Sequence, residues 1–317
     1  MQKQSLSITV DLEDWYHIPS VCGSPFSVYP SVGDFYKKWS HRYDYLSEPT
    51  SMVLDLLDEF RIKATFFIVA DLVNHYPGLV ESVARRGHEI ACHGLEHSCK
   101  IHPETREPLI SHREFEERTA QAKEMLEAAC GEEVIGYRAP NVLVAGWMLD
   151  SLEKLGLKYD SSVCVNSLYN KTDSDLKGVS SYPYYPQQGL LEPGERRKFI
   201  EFPWSYLDIC GFKIPTSGGP MLRFLGSFIV TRGLEQSMRR GHTVFYFHPL
   251  DISQENFPKV GRGRPLYWAV KGRIVEKRIR SVLRQGDVSF ATLTLRDVAR
   301  GRFVCHPRPD GVSRMTD

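Results

Sequence analysis

Titratable residues recur in short strings along this 317-residue chain, and several have the spacing of catalytic groups. Asp11, Glu13 and Asp14 fall within DLED. Carboxylates that close repel one another unless a cation or an arginine neutralises some of them, so the string is either a solvated turn or an ion site. Farther on, HGLEH puts His93 and His97 four residues apart. Two imidazoles at that spacing converge on one metal if the chain turns helically, and a carboxylate from elsewhere would complete the two-histidine, one-carboxylate set of catalytic zinc. Two separate surface histidines are the plain alternative. In GYRAP, Arg138 either pairs with a first-string aspartate or caps a helix at the surface. Asp160 opens DSS and is available to orient a histidine, while His248 ends the apolar run VFYF, where it needs either a buried partner or a pocket to face.

These strings need elements that bring them together. Apolar, β-rich runs occur at 6–10, 64–69, 88–91, 134–137, 200–202, 243–247 and 288–293. Helical patterns lie between most of them, the clearest at 111–129, where Ser111 and Glu114 form a capping box and Gly131 follows the end. Others are expected near 49–60, 77–87, 145–155 and 265–284. Alternation of this kind implies parallel strands joined by crossover helices, in an open sheet or a closed barrel. The residues after the first run are acidic and aromatic rather than a glycine-rich phosphate loop, which favours the barrel. In a parallel barrel the active site gathers at the C-terminal strand ends, where these polar strings stand.

Composition narrows the class. Forty basic residues balance thirty-nine acidic ones, so no global field favours nucleic acid. Seven scattered cysteines, none at metal-knuckle or redox spacing, read as reduced thiols. The start, MQKQSLSITVDLEDW, has no signal-peptide core, and no stretch approaches the roughly 18 apolar residues of a membrane span. The expected location is cytoplasmic, with the inner face of a membrane as an option, because an apolar helix pattern near 222–230 could lie against lipid. One domain is expected over 1–317, with a long excursion at about 166–197 and a C-terminal helical extension at about 260–300.

Taken in order, DLED, HGLEH, RAP, DSS and FYFHP resemble the motifs of the polysaccharide deacetylases, carbohydrate esterase family 4, over roughly residues 6–300. The stretch ATFF at 64–67 fits the same pattern. Where the common first motif has two adjacent aspartates, DLEDW looks like a subgroup associated with exopolysaccharide and surface-glycan loci, as does GGPMLRF at 218–224. Gly94 stands where many members carry Ser or Thr.

The resemblance implies a distorted (β/α) barrel of about seven strands, TIM-barrel-like, acting as a metal-dependent N-deacetylase. The implied ion is divalent, zinc first, held by His93, His97 and one first-motif carboxylate. Asp14 is preferred by short reach, with Glu13 the alternative because it shares a strand face with Asp11. Asp11 becomes the general base, aimed by Arg138, and His248 the general acid, oriented by Asp160. The backbone N–H of Asn141 becomes an oxyanion donor, since Pro140 has none. Trp15, Tyr16 and Trp204 are offered as sugar-stacking rings or as ordinary core. The expected substrate is an N-acetylated sugar or a lipid-linked glycan. Competing readings are a cyclic-amide hydrolase of the same fold and a catalytically silent glycan-binding barrel, and oligomeric state is unreadable.

Overall fold

Apolar runs of the sequence become the parallel strands of one curled sheet. The structure, a computed structural model, describes residues 5–165, 176, 179–260, 269–289 and 291–302. In chain order the strands are β1 (Ser5–Leu12), β2 (Thr65–Ile68), β3 (Glu89–Cys92), β4 (Gly136–Tyr137), β5 (Tyr159–Asp160), β6 (Ile200–Glu201), β7 (Tyr206–Ile209), β8 (Phe212–Pro215), β9 (Thr243–Phe247) and β10 (Ala291–Thr292). Seven pair in the order β9-β1-β2-β3-β4-β5-β6, all parallel, giving a distorted (β/α)7 barrel. Strands β7 and β8 form a separate antiparallel hairpin. The short β10 joins the start of β1.

Parallel strands covered on both faces must be apolar almost throughout, and β1 is buried along its whole length. Inside the barrel, Phe67, Ala91, Ile135, Tyr159, Phe202 and Val244 pack together, and Leu295 and Val298 close the end where the strands begin. The helices are α1 (Val32–Lys38), α2 (Ser47–Glu59), α3 (Leu72–His75), α4 (Leu79–Arg85), α5 (His112–Cys130), α6 (Gly146–Lys154), α7 (Gly219–Arg240), α8 (Arg273–Ser289) and α9 (Leu295–Asp297). Helix α5 starts where Ser111 accepts the Glu114 N–H and stops at Gly131, which turns left-handed (φ +72°).

Three expectations need correction. The run at 288–293 is not one strand: α8 extends to Ser289, with Val275, Ile279, Val282 and Leu283 buried at helical spacing, and only Ala291–Thr292 pairs with β1. Strand β5 was not expected, because two ladder residues leave no alternating pattern to read. Helix α4 starts two residues after Pro77, because left-handed Gly78 (φ +81°) intervenes. The expected start of the 265–284 helix lies outside the described residues. Among those residues, no helix is long and apolar enough to cross a membrane.

The ladder also sets out the site. His93 donates its N–H to Ile68 O (2.9 Å), Arg138 to Cys92 O (2.9 Å) and Ser161 to Tyr137 O (3.0 Å). Each is the residue immediately after a strand, so the three stand in a row along the C-terminal rim.

Candidate active site

The carboxylate that reaches the two histidines is Glu13. Its Oε2 lies 2.5 Å from His97 Nε2 and 3.9 Å from His93 Nε2. Among the described residues, Glu13, His93 and His97 are the group of His, Cys, Asp and Glu that could hold a metal ion, with one ligand atom from each within 4.8 Å of the others. The histidine tautomers are fixed from behind. His93 Nδ1 faces the Arg138 carbonyl at 2.8 Å and His97 Nδ1 faces the His17 carbonyl at 2.9 Å. A carbonyl only accepts, so each ring carries a proton on Nδ1 and turns its Nε2 towards Glu13. Burial lowers the His93 pKa to about 4, which keeps that ring neutral near pH 7. Glu13 Oε2 is buried and meets no donor in hydrogen-bonding geometry. Lone pairs converging from three sides fit a cation, and two nitrogens with one carboxylate oxygen are the donor set of catalytic zinc.

Asp14 is elsewhere. Its carboxylate accepts the N–H groups of Trp15 (2.7 Å) and Tyr45 (3.0 Å) and the Tyr76 hydroxyl. It caps the turn Trp15–His17, the turn that delivers the His17 carbonyl to His97. Burial pushes the Asp14 pKa up to about 7 despite these hydrogen bonds. His17 is itself held by Asp71, 3.1 Å from its Nε2. Trp15 and Tyr16 have no solvent-exposed surface and pack on Phe35, and the Trp15 indole donates to Tyr43 O, so neither ring is open to a sugar. The plain reading of these aromatics as core is the one observed.

Arg138 is held from several sides at the rim. It is wholly buried, donates to Asp11 Oδ1 (2.6 Å), Thr9 Oγ1 (2.9 Å), Ser161 O (2.8 Å) and Ser161 Oγ (2.9 Å), and lies 4.0 Å over the Phe67 ring. Such a fork holds a carboxylate in one orientation. Because the same residue's carbonyl orients His93, Arg138 couples the Asp11 position to the histidine position. Trp204 packs on Tyr246 (centroids 4.2 Å) and donates to Ser161 O, and with 4% of its surface exposed it serves as a wall under Arg138.

His248 follows β9, one position beyond the Val10–Phe247 pair, and its Nε2 lies 3.5 Å from Glu13 Oε1. The residue beside it is Asp251 rather than Asp160: Asp251 Oδ2 accepts the His248 N–H (2.9 Å) and lies 3.5 Å from Nδ1. Burial alone would lower the His248 pKa, but Asp251 and then Glu13 raise it to about 9. Asp251 pairs in turn with Arg223; burial opposes its charge, yet Arg223 and His248 hold its pKa at about 2. Sequence reading missed Asp251 and Arg223. The available signal was Asp251 at the third position after His248, in a turn begun by proline.

Asp160 points into the barrel wall, where it accepts Ser162 Oγ–H (2.8 Å) and shares a hydrogen bond with Glu201. Burial raises Asp160 to about 6 and Glu201 well above the carboxylate range. Glu201 Oε2 finds no donor, which a proton shared by the pair would supply. A raised folded-state pKa lends stability that is complete below the unfolded value and is lost as pH rises through the folded one. Glu201→Gln should therefore gain stability over wild type between pH 5 and 8, by about 1–3 kcal/mol in urea unfolding. A pH-independent difference would contradict the shared proton.

Asn141 follows Pro140 in a tight turn and adopts a left-handed conformation (φ +57°), as does Val142 (φ +52°). Such strain in a β-branched residue persists only where the surroundings enforce it. Gly94 abuts this turn: with φ +85°, a Cβ there would lie 3.2 Å from Pro140 Cγ and 3.3 Å from Glu96 O. A side chain at this position would crowd the turn at Pro140. Gly94→Ser should cost about 1–3 kcal/mol in urea unfolding, and no loss would remove this account of the glycine.

Residues 36–159 match the family model described as polysaccharide deacetylase, and residues 167–296 match a domain of unknown function, DUF3473. The chain therefore contains a polysaccharide deacetylase domain. A chitooligosaccharide deacetylase from Sinorhizobium fredii is 29% identical to this chain over 109 residues, 34% of this chain and 47% of that one. The chain spans about half the length of the curated relatives it matches, 47% and 55% of the first two. In fold it is similar to a protein from Mycobacterium smegmatis assigned as a polysaccharide deacetylase (TM-score 0.59, 19% identity, 96% of this chain and 95% of that one). It is also similar to an allantoinase (TM-score 0.54, 15% identity, 93% and 89%), so the barrel alone does not choose between open and cyclic amides. Strands β2, β3 and β4 lie in the first matched segment and β6 and β9 in the second, and all five belong to one sheet.

Proposed function

We propose that this protein hydrolyses the N-acetyl group of an N-acetylated amino sugar, within a glycan or a lipid-linked precursor, using a divalent metal. The observation that carries the reading is the convergence of Glu13, His93 and His97, flanked by Asp11 on Arg138 and by His248 on Asp251. A bound ion, zinc first by its donor set, would supply Lewis acidity towards the acetyl oxygen and an attacking water. Asp11 takes a proton from that water as its oxygen adds to the carbonyl carbon, and the carbonyl π pair moves onto oxygen. The backbone N–H of Asn141 is assigned to that oxyanion. When the C–N bond breaks, its electron pair goes to nitrogen, which takes the Nε2 proton of His248. Acetate and a free amine leave. Trp204 forms part of the wall beneath Arg138.

We further propose that residues 1–317 act as one domain, since strands from both matched segments share a sheet. The six described cysteines carry no disulfide, which supports a cytoplasmic setting, with peripheral membrane contact as an extension of the same idea. The test is acetate release from N-acetylhexosamine oligosaccharides beside ring opening of allantoin, with chelator-stripped protein as zinc is titrated back. Metal-dependent acetate release without ring opening supports the proposal; ring opening without acetate overturns it.

A further inference from the structure

The stretch GGPMLRF, at 218–224, is used by no step above, yet its residues close on the acid side of the site. Gly219 lies so close to Asp251 that a Cβ would stand 2.0 Å from Oδ2. Gly218 (φ +106°) is equally tight, its Cβ falling 2.3 Å from the Tyr246 ring. One turn on, Arg223 is 6% exposed and pairs with Asp251, itself 2% exposed. Gly226 then leaves helical geometry (φ +73°, ψ 172°) and interrupts α7 just after that turn. The carbonyls of Leu222 and Arg223 accept Arg278 from α8 at 3.1 and 2.6 Å. Gly272 N–H holds the Asp251 carbonyl at 2.9 Å.

We propose that this stretch is a clamp for the general acid, in which Arg223 and Asp251 are positioning residues that set the ring of His248. The inference rests on the deacetylase reading and gives the segment matched to a domain of unknown function a part in it: that segment builds the proton-donating half of the site. A buried ion pair adds little net stability over apolar packing. What Arg223 and Asp251 produce together is one fixed direction for the His248 ring, because Asp251 Oδ1 faces Arg223 while Oδ2 faces His248. Asp160, the residue the motif order suggested for this task, is committed to Ser162 and Glu201.

A misaimed acid harms only reactions whose leaving group needs a proton. An amine must be protonated to leave, whereas 4-nitrophenolate departs without help. Arg223→Gln, and Asp251→Asn, which can still accept the His248 N–H, should each lower kcat for an N-acetylhexosamine oligosaccharide by about 10- to 100-fold with KM little changed. Hydrolysis of 4-nitrophenyl acetate should stay within about twofold of wild type, and Arg223→Lys should recover part of the amide activity. Amide and ester hydrolysis falling together would show a merely structural pair, and unchanged amide turnover would show no role; either overturns the proposal. A wild-type protein that splits the ester but releases no acetate from any N-acetyl sugar would instead sink the deacetylase reading, and the clamp with it.

Discussion

Asp11→Asn should lower kcat for N-acetyl sugars by about 10²- to 10⁴-fold while leaving metal content and the unfolding midpoint close to wild type. Asparagine keeps the shape and can still accept from Arg138 Nη1, so the 2.6 Å contact survives as a neutral hydrogen bond. Arg138 also keeps Thr9, both Ser161 acceptors and the Phe67 ring, so the buried guanidinium remains held. What the substitution removes is the ability to accept a proton from water. Steady-state kinetics beside metal analysis and thermal unfolding separate the cases. A loss of metal or of fold that matches the loss of rate would make Asp11 structural rather than the base.

The second large effect separates two adjacent carboxylates. Glu13→Gln should weaken zinc binding by more than about 100-fold, beyond the 10- to 100-fold typical of losing a group that only supports a ligand. Asp14→Asn should weaken it by less than about tenfold, because Asn caps a turn as well as Asp does. The reason lies in direction: Glu13 meets the Nε2 atoms of both histidines, whereas Asp14 is engaged by Trp15, Tyr45 and Tyr76. Competition with a chromogenic chelator measures both constants. If Asp14→Asn loses the metal and Glu13→Gln keeps it, the assignment is inverted.

What could be read in the sequence followed from repetition. Strand-end positions recur, so DLED, HGLEH, RAP and FYFHP could be placed on one rim before any coordinates, and residues spaced by two on β1, Thr9 and Asp11, do meet the same arginine. What could not be read depended on contacts distant in sequence. Short reach favours Asp14, but the turn it caps aims its carboxylate at Tyr76, 62 residues away. Asp160 was assigned to His248 by motif order, while a buried glutamate 41 residues on, Glu201, claims it instead. Arg223 carried no pattern beyond being a charge in an apolar stretch, and its partner lies 28 residues downstream. Trp15 sat beside the acidic string and looked available, yet its neighbours Phe35, Trp39 and Tyr45 enclose it.

The most direct test of the account is oxygen-isotope transfer. Zinc-loaded protein is incubated with an N-acetylhexosamine oligosaccharide in ¹⁸O-water, and the released acetate is weighed by mass spectrometry. The account predicts acetate carrying one solvent oxygen, with chelated protein and Asp11→Asn nearly silent. Acetate released at the wild-type rate by either control, or none released by the loaded enzyme from any N-acetyl sugar, would contradict it.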